Sequence, residues 1–78
     1  MDVQTFTLDF ANQFQDIDIS SVRFQTEFRQ LSTWDSLTGM AVLVMIEEKY
    51  NVAISPTDFR NLKTVEDVYK YILGRSAS

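Results

Sequence analysis

From Leu37 to Ile46 every residue except Thr38 is apolar or glycine, and this stretch constrains the fold more than any other part of the chain. A surface helix of a globular domain carries one apolar stripe, whereas here apolar side chains run around the helix. If Gly39, Val42, Leu43, Ile46 and Tyr50 face a core, helical spacing puts Leu37, Met40, Ala41, Val44 and Glu48 on another face. Two readings follow. Either the rest of the chain wraps that second face and the segment is simply the central core helix, or the face is an exposed strip that marks a partner site. In the second case Glu47 and Glu48 add charged steering at its rim.

The neighbouring segments read as further helices. Val3, Phe6, Phe10 and Phe14 recur at spacings of three and four with polar residues between them, which predicts an amphipathic helix from about residue 3 to 15. From Asp16 to Thr33 the periodicity fades. Ile17, Ile19, Val22, Phe24, Phe28 and Leu31 there predict a long loop pinned across the core, with one short helical turn at 27–31. The second helix is predicted from Ser36 to Tyr50, with Asp35 as N-cap and Asn51 as the left-handed residue that ends it. After an extended link at 52–54, Ser55-Pro56-Thr57-Asp58 opens a short helix reaching Asn61. Thr64-Val65-Glu66-Asp67 repeats the capping logic and starts a last helix with Val65, Val68 and Ile72 inward. Gly74 is the expected stop, and 74–78 reads as a frayed tail. The expected core is Phe6, Phe10, Phe14, Phe28, Ile46, Tyr50, Ile54, Leu62, Val68 and Ile72, which is ample for a bundle. No repeat, low-complexity tract or linker divides the chain, so a single domain over 1–78 is expected.

Size and composition remove most chemistry. A domain of 78 residues buries only about 60% of the surface its unfolded chain exposes, which leaves little room for a deep cleft. With no His and no Cys there is no imidazole base, thiolate nucleophile or thiolate metal ligand, so an enzyme is a poor reading. Any thiol must come from outside. The same lack of Cys removes any disulfide argument for secretion and leaves the cytoplasm as the default. The apolar run Met40–Ile46 is far short of the roughly 20 residues of a membrane span. Seven basic against eleven acidic residues give a net charge of −4, which disfavours nucleic acid and favours partners with basic patches.

Ser36 is the residue to which chemistry attaches. It falls in the first turn of the apolar helix with its hydroxyl outward, beside the Asp35 cap and unpaired backbone N–H donors. The positive end of the helix dipole favours an anion there, so a phosphodiester on Ser36 needs no special pocket.

Asp35-Ser36-Leu37 at a helix start, the exit Ile46-Glu47-Glu48-Lys49-Tyr50, then Val52-Ala53-Ile54, Ser55-Pro56 and Thr64-Val65-Glu66-Asp67-Val68 with Tyr71-Ile72 closely resemble the acyl carrier proteins. The resemblance covers nearly the whole chain and implies an all-α, four-helix bundle with a long first loop and a short third helix. It implies that a phosphopantetheinyl transferase attaches 4′-phosphopantetheine from coenzyme A to Ser36, with Asp35 supporting the transferase and its metal. Acyl intermediates would then ride as thioesters on a flexible arm, visiting acyl-loading and acyl-processing enzymes at high effective concentration. Leu37, Met40, Ala41, Val44, Glu47 and Glu48 would form the docking face, and a monomer suits a mobile shuttle. Thr33, Thr38 and Ala41 stand where fatty-acid carriers of this kind have a glycine and two acidic residues, which points to a specialised or secondary carrier in lipid, polyketide or nonribosomal synthesis. The alternative is an unmodified helical adaptor that binds a partner through the same apolar face.

Two local questions stay open at this level. Gly39 inside a helix costs about 1 kcal/mol relative to alanine, so either something needs the space or the residue is tolerated drift. Trp34 either packs against the long loop or lies beside the arm.

Overall fold

The computed structural model describes residues 2–76, and among them four α-helices form an all-helical bundle: α1 Val3–Ala11, α2 Ser36–Tyr50, α3 Pro56–Arg60 and α4 Val65–Ser76. Each start has a chemical cause. Asp2 caps α1 by accepting from Thr5 N, Asp35 caps α2, and Ser55 caps α3 by accepting from Asp58 N with Pro56 at the first helical position. At α4 the predicted box is reciprocal: Asp67 N donates to Thr64 Oγ1 at 3.0 Å, while Thr64 N and Lys63 N donate to Asp67 Oδ2 at 3.1 and 3.0 Å. These bonds, with those from Lys63 and Thr64 the strongest, hold the Asp67 carboxyl below the usual carboxylate range. Asn51 ends α2 in the left-handed conformation at φ 57°.

Two boundaries differ from the sequence expectation. α1 stops at Ala11 rather than 15, because Gln13 N and Phe14 N bond back to Phe10 O and Ala11 O in tighter turns, and the Gln13 side chain takes the Asp9 carbonyl. Phe14 is buried all the same, so its apolar spacing reported burial and not helix. α4 does not stop at Gly74 but continues through Arg75 to Ser76; an added Cβ at Gly74 would meet open space, and its φ is not positive. The remainder of the expected tail, Ala77 and Ser78, lies outside the described residues.

The long loop is indeed pinned. It contains the expected turn, found at Phe28–Gln30, and a second at Ile19–Ser21 capped by Asp18. Its backbone then closes the start of α4: Val65 N donates to Thr26 O at 3.2 Å and Glu66 N to Phe24 O at 2.7 Å, which satisfies first-turn donors that a helix leaves orphaned.

The core is aromatic at its centre. Phe6, Phe10 and Phe28 are fully enclosed, Phe6 meeting Tyr50 and Tyr69 edge-on and Phe28 stacking on Phe59 with centroids 5.6 Å apart. Tyr50 and Leu62, expected inside, are only half-buried. For Tyr50 the reason is its phenol, which donates to Asp9 Oδ2 at 2.8 Å beside the Lys49–Asp9 ion pair at 3.0 Å and so joins α1 to α2 at the surface. Among the described residues no helix is long and apolar enough to cross a membrane.

Candidate functional site

The start of α2 is built by Asp35. Its extended backbone (φ −152°, ψ −179°) turns the side chain onto the helix end, where Oδ1 accepts from Thr38 N at 2.8 Å and Thr38 Oγ1 at 2.9 Å. Those bonds, the backbone one foremost, lower the Asp35 pKa. Ser36 is the next residue, exposed, in the first turn. Its hydroxyl therefore stands exposed at the positive end of a 15-residue helix.

Beyond Ser36, α2 has two faces, as the spacing requires. Thr38, Gly39, Val42, Met45 and Ile46 are buried. Leu43 and Tyr50, expected among them, sit half-buried at the edge, so the buried stripe is turned slightly toward Thr38 and Met45. On the other side Leu37, Met40 and Val44 are 76%, 63% and 52% exposed, which decides between the two readings of the apolar face: the rest of the chain does not wrap it. Met40, Ala41, Val44 and Glu48 line one shallow depression of about 400 Å³, with Ala41 half-buried at its floor. Glu47 is exposed but stands outside it. Thr38 does not belong to this face. Its hydroxyl is engaged by Asp35 and the residue is buried, so the absence of an acid at position 38 says nothing about docking charge.

A second groove, of about 490 Å³, opens directly at Ser36 between α2 and α3. Its walls are Trp34, Gly39, Met40 and Leu43 on one side and Pro56 and Phe59 on the other. Trp34 packs among Phe14, Phe28 and Phe59, with centroids 5.9, 5.0 and 6.2 Å away, so it packs against the long loop as the first sequence reading has it, and it also borders the groove. It also explains Gly39: a Cβ there would stand 3.2 Å from Trp34 Cζ2, so the close approach comes from the indole that precedes the helix.

Arg29 and Arg60 also line this groove, and neither was legible as a site residue. Arg29 reaches from the long loop to the end of α3, donating to the Phe59 carbonyl at 2.7 Å and to the Leu62 carbonyl, with its guanidinium 4.8 and 5.0 Å from the Phe28 and Phe59 ring centroids. Burial first, and the Arg60 charge second, lower its pKa. The sequence separation of about thirty residues hides this contact.

A family profile described as a phosphopantetheine attachment site matches residues 10–72, which includes the whole of α2 and α3. The chain belongs to the acyl carrier protein family. Curated relatives agree: an acyl carrier protein of Phytoplasma australiense is 41% identical over 72% of this chain and 74% of its own length, and one of Acidothermus cellulolyticus is 32% identical over 99% and 92%. A third, of Kocuria rhizophila, is 31% identical over 82% and 79%. No solved structure gave a significant match. Like its family the carrier bears a covalently attached 4′-phosphopantetheine and presents intermediates to enzymes without being one. The residues present fit that group: an exposed serine hydroxyl at a helix N-terminus, next to an open groove with apolar walls and two guanidinium groups. When bound, the group supplies the thiol this cysteine-free chain lacks.

Proposed function

We propose that Ser36 is the attachment residue and that the carrier holds acyl groups as thioesters for a specialised or secondary biosynthetic pathway of the lipid, polyketide or nonribosomal kind. The observation that carries the assignment is the exposed Ser36 hydroxyl beside the Asp35 cap, at the head of an unwrapped apolar strip. In transfer, the Ser36 Oγ–P bond forms as the hydroxyl gives up its proton and the remainder of coenzyme A leaves. Asp35 supports the transferase and its metal from the adjacent position while holding the helix end in shape. Leu37, Met40, Ala41 and Val44 dock the transferase and the acyl-loading and acyl-processing enzymes, with Glu47 and Glu48 meeting basic residues at the far end.

The pathway reading is supported by Ala41 on the docking face and by a net charge of only −4, which leaves more of the recognition to apolar contact than to steering. A monomeric single-domain shuttle in the cytoplasm suits this use. The test is intact mass after incubation with coenzyme A and a broad-specificity transferase. One phosphopantetheine is expected on the parent chain and none on Ser36→Ala. A loaded Ser36→Ala chain would move the attachment elsewhere, and a parent that never gains the group would leave the unmodified-adaptor reading standing.

A further inference from the structure

The groove at Ser36 is electrostatically out of keeping with the rest of the chain. Eleven acidic residues outnumber seven basic ones overall, yet two arginines and one carboxylate line this groove, and that carboxylate, Asp35, is engaged by Thr38. Arg29 is held by two carbonyls and lies against three aromatic rings, those of Phe28, Trp34 and Phe59. Arg60 is exposed and makes no ion pair or hydrogen bond among the described residues. The acid nearest to it in sequence, Asp58, is turned to α4, accepting from Tyr71 Oη at 2.7 Å with Arg75 at 3.5 Å. Both guanidinium groups line the one groove, and the Arg60 charge adds to burial in lowering the Arg29 pKa.

The attachment reading, on which this inference rests, brings an anion of the right kind to this groove. A phosphodiester on Ser36 Oγ would be tethered within the same groove that Arg60 lines, so their encounter is intramolecular and carries no translational penalty. Guanidinium is suited to phosphate because its planar fork presents paired donors. We propose that Arg60, backed by the fixed charge of Arg29, is the positioning residue that holds the phosphodiester of the arm, so that the arm leaves Ser36 across α3 and over the apolar walls at Met40, Leu43 and Phe59. The two ends of the carrier's working surface then differ in sign: a cationic end engaged by the arm, and an acidic end at Glu47 and Glu48 left for partner enzymes.

The test uses the full chain, apo and loaded, with loading first verified by intact mass; a chain that takes no phosphopantetheine overturns the attachment reading itself and is told apart at this step. In the loaded chain the Arg60 Nε–H and Met40 methyl resonances are expected to move relative to apo. The phosphorus resonance of the arm is expected to differ between parent and Arg60→Gln, with Arg60→Lys intermediate. In the parent alone, those shifts are expected to vanish as salt rises, since an exposed pair is screened once the Debye length falls from about 10 Å at 0.1 M to about 3 Å at 1 M. This arm keeps the test decisive even if Arg60→Gln misfolds. Succinyl and butyryl thioesters identify the anion: equal Arg60 shifts with both support the phosphodiester. A shift that appears only with succinyl overturns the proposal in favour of a carboxylate on the cargo, and an Arg60 signal indifferent to loading overturns it outright.

Discussion

Gly39→Ala is the substitution for which the structure makes the sharpest quantitative statement. Alanine would gain about 1 kcal/mol of helix propensity at this position, the fourth residue of α2. Against this, the new Cβ would stand 3.2 Å from Cζ2 and 3.4 Å from Cη2 of Trp34, closer than comfortable contact by a few tenths of an ångström. The indole has nowhere easy to go, because Phe14, Phe28 and Phe59 lie against it at 5.9, 5.0 and 6.2 Å between centroids. Overpacking of this kind costs about 1–3 kcal/mol, and a displacement of tenths of an ångström belongs in the middle of that range, about 2 kcal/mol. The net expectation is a loss of about 1 kcal/mol.

Trp34→Phe deletes the two carbons that would clash, so in that background Gly39→Ala should stabilise by the full propensity term. The double-mutant cycle should therefore return a coupling of about 2 kcal/mol, within the range found for residues in contact. Urea unfolding of the four proteins, followed by far-UV circular dichroism, measures it. If Gly39→Ala stabilises the parent by about 1 kcal/mol and the coupling is under about 0.5 kcal/mol, the glycine is tolerated drift and the steric account is wrong.

Two further expectations concern stability and docking. Burial, then the hydrogen bond to Asp9, raises the Tyr50 phenol from 10.0 to about 12, so the folded chain keeps a proton that the unfolded chain releases. The Tyr50 contribution to stability is thus whole below pH 10 and is lost as pH climbs toward about 12. Urea midpoints across the alkaline range should fall in the parent and fall less steeply in Tyr50→Phe; parallel slopes would refute the linkage. Leu37→Ala and Met40→Ala remove exposed side chains, so stability should stay within about 0.5 kcal/mol of the parent. Transferase kcat/KM should drop about fivefold or more, the size of an interface loss above 1 kcal/mol, and unchanged loading would remove this strip from the docking face.

Much of the fold could be read before any coordinates because the controlling chemistry is local. Caps at Asp35, Ser55 and Thr64 and the left-handed Asn51 depend on residues within one turn, and α2, α3 and the start of α4 came out where those residues put them. The end of α1 did not. Periodicity alone extends the helix to Phe14, whereas tight turns and the Gln13 side chain end it while still burying that ring. Glycine likewise suggested an end at residue 74 that the helix does not have.

The site divides along the same line. The hydroxyl at Ser36, its Asp35 neighbour and the existence of a second apolar face on α2 follow from order and spacing along a single helix, so the sequence by itself determined them. Whether Met40 is covered, why Gly39 is glycine, and that Arg29 and Arg60 meet beside Ser36 were decided only in three dimensions. These depend on which distant segments come to rest against α2 and α3. The loop that delivers Trp34 and Arg29 is placed by long-range aromatic packing and by carbonyls thirty residues away, and no local rule encodes such a contact.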